Sequence, residues 1–228
     1  GLGFGFDGIG GSMAWQEHTI DSVDEYRALR GDGIPAMYAK SMSHIDEHIR
    51  RFLALTSFVA VASIDANGNM DVSPKGDPPG FITVIDDTTI VIPERAGNRR
   101  ADTFTNVLQN PSVGIICFVP GMDETMRING RASITTDAEL LATMEVDGHV
   151  PVLGLVVEVE EAFIHCGKSL IRGRVWDPDA RIDRSIYPSV GEVMFDHGNL
   201  ERYGFTREST IHCAVDDYAS NVYPTTEE

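Results

Sequence analysis

Basic residues are scarce in this chain. Among 228 residues there are 18 Lys and Arg against 35 Asp and Glu, a formal net charge of −17. Such a surface repels phosphate backbones and anionic headgroups, which disfavours non-specific nucleic-acid binding and attachment to an acidic membrane, while leaving room for a local basic pocket. Cysteine is scarce too. Cys117, Cys166 and Cys213 have unrelated spacing, which argues against a disulfide framework and for a reducing, cytoplasmic setting. No apolar run approaches the roughly 20 residues that span a bilayer, and no signal-peptide pattern is visible. No repeat or low-complexity tract appears. The length suffices for one sizeable core.

What is present begins with a false lead. Gly3-Phe4-Gly5-Phe6-Asp7-Gly8 spells G-x-G-x-x-G, but a dinucleotide fingerprint works only between a strand and a helix, and nothing precedes it. Met13 follows Gly10, Gly11 and Ser12, so residues 1–12 read as a tag or a disordered tail and residues 13–228 as one domain.

The chain then alternates short helices with strands. Ser22 and Glu25 have capping-box spacing for a helix over 22–30 that stops at Gly31. Ser43 is expected to cap a second helix with Ile45, Ile49, Phe52 and Leu53 on one face. His44 and His48 lie four apart there, but with no adjacent Glu and no third ligand they read as exposed histidines rather than a metal site. From Phe58 the period changes to two: a strand over 58–64, an Asn67-Gly68 hairpin turn and a return strand over 70–75. Strands are expected at 81–85, 89–92, 112–119, 125–135 and 153–166, with helices over 99–108 and 136–144 and a helical turn at 168–172. Two short helices near 189–196 and 208–220 complete the pattern. A set of mostly antiparallel strands joined by hairpins usually closes into a barrel to remove its edges.

The stretch that organises the chain is 89–102. A β-branched run stops at Pro93, Gly97 bends the loop, and Asn98, Arg99 and Arg100 open a helix-like segment. Strand, glycine loop and helix start with two guanidinium groups is an arrangement that holds phosphate. A surface Arg–Glu pair accounts for the same residues equally well.

In order along the chain, Ser63-Ile64-Asp65-Ala66-Asn67-Gly68, Val72-Ser73-Pro74-Lys75-Gly76-Asp77, Gly97-Asn98-Arg99-Arg100, Asn110-Pro111-Ser112-Val113-Gly114 and Arg127-Ile128-Asn129-Gly130-Arg131-Ala132 make a recognisable set. Over about residues 45–176 the chain resembles the pyridoxamine 5′-phosphate oxidase-like flavoproteins. The resemblance implies a mainly β fold, a six-stranded antiparallel split β-barrel with inserted helices, forming a homodimer with FMN at the subunit interface. It implies that Val72 and Ser73 line the flavin, that Lys75 reaches the flavin or its phosphate, and that Asn98, Arg99 and Arg100 hold the phosphate. It places Thr125 near the flavin ring, and Lys168, Arg172 and Trp176 toward the cofactor from the partner subunit. Trp176 could equally anchor the interface. The chain departs from the oxidase itself: Met70 stands where that enzyme has a phosphate-binding arginine, the loop before Asn98 is one residue longer, and 202–212 lack its C-terminal Arg and His motif. These departures weigh against vitamin B6 oxidation.

The resemblance therefore implies an FMN-dependent oxidoreductase acting on a small molecule. The alternatives are a non-catalytic flavin- or haem-binding relative and an F420-dependent reductase on the same barrel. Cys117 lies in the most apolar strand and reads as core, and His165-Cys166 as a strand end. No nucleophile elbow or Ser–His–Asp grouping is recognisable.

Overall fold

The computed structural model describes residues 18–95, 97, 100–220 and 222–223. Residues 1–12 and the pair Asn98 and Arg99 lie outside them. The chain divides into two compact units at Lys40/Ser41. The first carries α1 (Val23–Arg30) and α2 (Pro35–Ala39). Ser22 caps α1 by accepting from the Glu25 N–H, and Gly31, at φ 81°, ends it, as the capping-box spacing requires.

The second unit is built on seven strands: β1 (Phe58–Ile64), β2 (Met70–Gly76), β3 (Thr83–Val84), β4 (Thr89–Pro93), β5 (Ser112–Phe118), β6 (Thr125–Thr135) and β7 (Gly154–His165). They form one antiparallel sheet in the order β2-β1-β5-β6-β7-β4-β3. Where a six-stranded split barrel is expected, the strands form a seven-stranded sheet that does not close. Its end strands do not pair because β3 is only two residues long, and β2 runs out at Gly76 into Asp77-Pro78-Pro79, where proline has no N–H for a ladder.

Inward-facing residues of β1, β4, β5, β6 and β7 meet in one core. Val59 and Val61, Ile90 and Ile92, Ile115 and Cys117, Ile128, and Leu155 and Val157 are all almost fully buried in a single cluster. Burial pushes the Cys117 thiol up to about 12, so it stays a protonated core side chain. Helix α3 (Glu47–Leu55) sets Ile49, Phe52 and Leu53 into this core. Its cap is Asp46, which accepts from the Ile49 N–H at 2.8 Å, rather than the expected Ser43. Residues before it are pinned outside a helix: Met42 bridges to Ala162 and the Ile45 N–H donates to the Asp87 carbonyl. His44 accordingly precedes the helix that carries His48.

Between β4 and β5 the helix α4 (Asp102–Val107) is shorter than expected, and its cap position, Ala101, is left-handed at φ 55°. Helices α5 (Ala138–Ala142) and α6 (Lys168–Gly173) flank β7. A helical hairpin follows, α7 (Val190–Gly198) with a Ser189–Glu192 capping box, and α8 (Arg207–Ser220). The two cross closely: a Cβ at Gly191 would lie 2.5 Å from the Ile211 Cα.

A bulge at Asn129/Gly130 bends the long β6–β7 ribbon. There the Glu158 carbonyl comes so close that a Cβ on Gly130 would lie 2.1 Å from its oxygen, a contact only glycine permits. Gly130→Ala is expected to destabilise the fold by about 1–3 kcal/mol, read as an earlier denaturation midpoint with an unchanged m-value.

Candidate functional site

The curvature of the sheet brings its two ends together without ladder bonds, and ion pairs join them. On β2, Ser73 and Lys75 alternate with the exposed Val72. Lys75 Nζ lies 2.8 Å from Glu94 Oε2, just past β4, and 5.0 Å over the Phe104 ring of α4. Two residues along, Arg95 Nε donates to Asp77 Oδ2 at 2.6 Å, and Asp77 is only 1% exposed. The other Arg95 nitrogens donate to the His149 and Met144 carbonyls at 3.0 and 2.6 Å. This fork ties Asp77 and the loop carrying Met144 and His149, two segments distant in sequence, to one guanidinium.

The C-terminal end of the described chain reaches the same place. Tyr223 donates its hydroxyl to Asp77 Oδ1 at 2.6 Å, stacks on His149 with ring centroids 5.8 Å apart, and lies under the Arg95 guanidinium. Burial, with the Asp77 carboxylate beside it, pushes the Tyr223 phenol up to about 12.

A cavity of about 510 Å³ opens along this seam. Its lining includes Val72, Ser73 and Lys75 from β2, Glu94 and Arg95 after β4, and Arg100, Asp102 and Thr103 at the start of α4. Arg100 is exposed and bonds Asp102 through Nε at 2.5 Å. Thr103 is 2% exposed, and its Oγ1 is buried without a hydrogen-bond partner among the described residues; a buried hydroxyl left unpaired costs free energy that a ligand acceptor would recover. Nearby, Asn106 donates to Ser63 Oγ and Asp71 Oδ2, at 3.0 and 2.9 Å, fixing α4 on β1 and β2. The left-handed Ala101 beside these groups costs about 1 kcal/mol for a non-glycine residue.

A second cavity, about 470 Å³, lies on the outer face of the sheet. Ala60 and Ala62 of β1, Gly114 and Ile116 of β5, and Thr125, Arg127 and Asn129 of β6 line it, with His165 and Leu170 at its edge. Val72 lines both cavities.

The residues singled out by sequence thus part company. Val72, Ser73, Lys75 and Arg100 meet in the seam cavity, and Thr125, buried, in the outer one. Asn98 and Arg99 lie outside the described residues. Lys168 and Arg172 are exposed and line neither cavity, and Trp176 donates its indole N–H to the Met122 carbonyl of its own chain at 2.7 Å. Sequence reading passed over Arg95 and Asp77. Arg95 stands in the same arginine-rich stretch and could have been included, but nothing local points to Asp77, His149 or Tyr223 as its companions. Among the described residues no group of three His, Cys, Asp or Glu could hold a metal ion.

A family model described as pyridoxamine 5′-phosphate oxidase matches residues 45–166. No curated protein sequence matches the chain. Solved structures with which it shares similarity include an FMN-binding protein from Syntrophomonas wolfei, 14% identical over 62% of this chain and 97% of that one, with a TM-score of 0.43. HupZ from Group A Streptococcus is 21% identical over 53% and 93% of the two chains, with a TM-score of 0.43. HutZ, a haem storage protein from Vibrio cholerae, is 19% identical over 53% and 94%, with a TM-score of 0.39.

Two outcomes follow from the seam. Arg95→Met strands a buried carboxylate and is expected to cost about 3–5 kcal/mol, with Asp77→Asn in the same chain restoring part of it; denaturant melts of the three variants measure this. The Tyr223 pKa is raised, so the stability its neutral phenol contributes is complete below about pH 10. It is lost as pH rises toward about 12. Phenolate absorbance near 295 nm should show one late-titrating tyrosine that disappears in Tyr223→Phe.

Proposed function

Since the chain belongs to the pyridoxamine 5′-phosphate oxidase family, with residues 45–166 matching its model, we propose that it is an FMN-dependent oxidoreductase acting on a small molecule. The observation that carries this reading is the seam cavity, where two cations and an unpartnered hydroxyl, Lys75, Arg100 and Thr103, line one wall. Its volume, about 510 Å³, lies within the usual range for a cofactor site. These residues fit a phosphate. Lys75 and Arg100 would hold its charge, with Asn98 and Arg99 of the same loop, and the Thr103 hydroxyl would donate to it. Both described cations start out bonded to carboxylates, Glu94 and Asp102, so binding exchanges one acceptor for another. A dianion can replace a monoanionic carboxylate because it offers more charge and more acceptor oxygens.

Val72, shared by the two cavities, would carry the ring of the cofactor from the seam onto the outer face. There the buried Thr125 hydroxyl offers a polar contact to its edge. When bound, FMN supplies hydride transfer through its ring N5. The protein's own part is to bind, orient and shield: Lys75 and Arg100 hold the anionic end, and the apolar sheet face excludes water from the ring.

A second copy of the chain is the natural cover for that outer face. Phe58, Met70, Val72 and Ile116 present exposed apolar side chains there, between 41% and 68% accessible, and such a patch on a folded protein marks an interaction surface. In that homodimer Lys168 and Arg172 would face the partner's cofactor. Vitamin B6 oxidation is not supported: Met70 is 68% exposed, Arg202 bonds the Tyr203 hydroxyl, and His212 lies against Asp216.

The test is the visible spectrum of the purified protein, followed by titration of the apo form with FMN. The expected result is a flavin spectrum bleached by NAD(P)H, or stoichiometric quenching of FMN fluorescence. Arg99→Ala with Arg100→Ala, and separately Lys75→Met, should weaken FMN binding by about 1.5–3 kcal/mol per charge-assisted bond lost. Unchanged affinity in the folded variants removes the phosphate assignment. A Soret band moves the assignment to haem, and a colourless protein that binds F420 instead of FMN moves it to a deazaflavin.

A further inference from the structure

A segment from outside the sheet reaches the mouth of the seam cavity. Helix α8 ends at Ser220, and within three residues the chain is back at the seam. Val222 lines the cavity and is still 63% exposed, so it stands at the rim. The other residues that line the cavity all fall between Val72 and Phe104. Tyr223 anchors the segment there: its hydroxyl donates to Asp77 Oδ1 at 2.6 Å, its ring stacks on His149, and the Arg95 guanidinium lies over that ring.

The two oxygens of Asp77 have different partners. Oδ2 takes the Arg95 Nε at 2.6 Å, and Arg95 also reaches the His149 and Met144 carbonyls. Oδ1 takes Tyr223. When Tyr223 departs, the buried carboxylate keeps its cation, and the phenol exchanges one acceptor for water. That costs one hydrogen bond and a ring contact, whereas breaking the Arg95 pair would strand a charge. A contact of this size opens and closes locally while the sheet stays intact.

We propose that residues 222 and 223 form a strap over the seam cavity, latched by Tyr223 on Asp77, and that a ligand enters and leaves the seam when the latch opens. The strap regulates the site proposed above and rests on that reading only for the identity of the ligand.

Such a latch alters rates and leaves affinity alone, because the contact that breaks is between protein groups. Stopped-flow quenching of FMN fluorescence by the full-length protein gives the association and dissociation rates. In Tyr223→Phe both should rise about tenfold, the factor that one hydrogen bond to a charged group is worth, with Kd within about twofold of wild type. A second measurement needs no flavin. Lys75 lines the cavity and its side chain is 13% exposed. Its modification by trinitrobenzenesulfonate, followed by peptide mass spectrometry against the exposed Lys168, should speed up by a similar factor in Tyr223→Phe. It should not change with urea below the unfolding transition, since a local opening exposes little surface.

Unchanged FMN rates, or a rise in dissociation alone, overturn the proposal. So does Lys75 modification that climbs with urea, which reports unfolding of the whole fold. A protein that ignores FMN but shows the Tyr223-dependent gain at Lys75 supports the strap and overturns the flavin reading. One that binds FMN with the same rates and the same Lys75 modification in both variants overturns the strap and leaves the flavin reading standing.

Discussion

The structure depends on how its sheet is joined at the edges. Seven antiparallel strands curl around one core, but the ladder stops at β2 on one side and at the two-residue β3 on the other. What spans the gap is charge: Lys75 to Glu94 and Arg95 to Asp77. A ladder would have filled the gap with backbone and sealed it. Side-chain pairs leave a cavity, lined by the polar groups that make the join. The seam is therefore where the sheet is left open and where a cavity lies, and the Tyr223 contact is made beside it.

This arrangement has an electrostatic consequence. A buried carboxylate such as Asp77 requires its cation, because removing either partner leaves an uncompensated charge in a low-dielectric setting. Arg95 is thus committed to structure, with three acceptors in two segments distant in sequence. Lys75 and Arg100 bond carboxylates nearer solvent, Glu94 and Asp102. The stretch after β4 accordingly contains arginines in two settings, one buried in the seam and one exposed at its mouth.

Much of the fold could be read along the chain. β1, β2 and β6 follow period-two alternation and sharp turn residues such as Asn67-Gly68, and their limits agree with the sequence to within a residue. Helices were less legible at their starts. Ser43 looked like a cap, yet Met42 is paired with Ala162 and the helix begins only after Asp46. β3 shrank to two residues because its remaining apolar side chains, Phe81 and Ile82, serve the core outside a ladder.

The sequence by itself determined the local order: which segments are strands and where they turn. These follow from short-range periodicity and turn chemistry, which the backbone obeys wherever it is; the grouping of Val72, Ser73, Lys75 and Arg100, which line one cavity, came from the family resemblance. Only the tertiary structure decided which arginine is buried, that the sheet stays open, and that Tyr223 meets Asp77 across 146 residues. Those depend on the curvature of the whole sheet, which sets the distances between charges that no local pattern records.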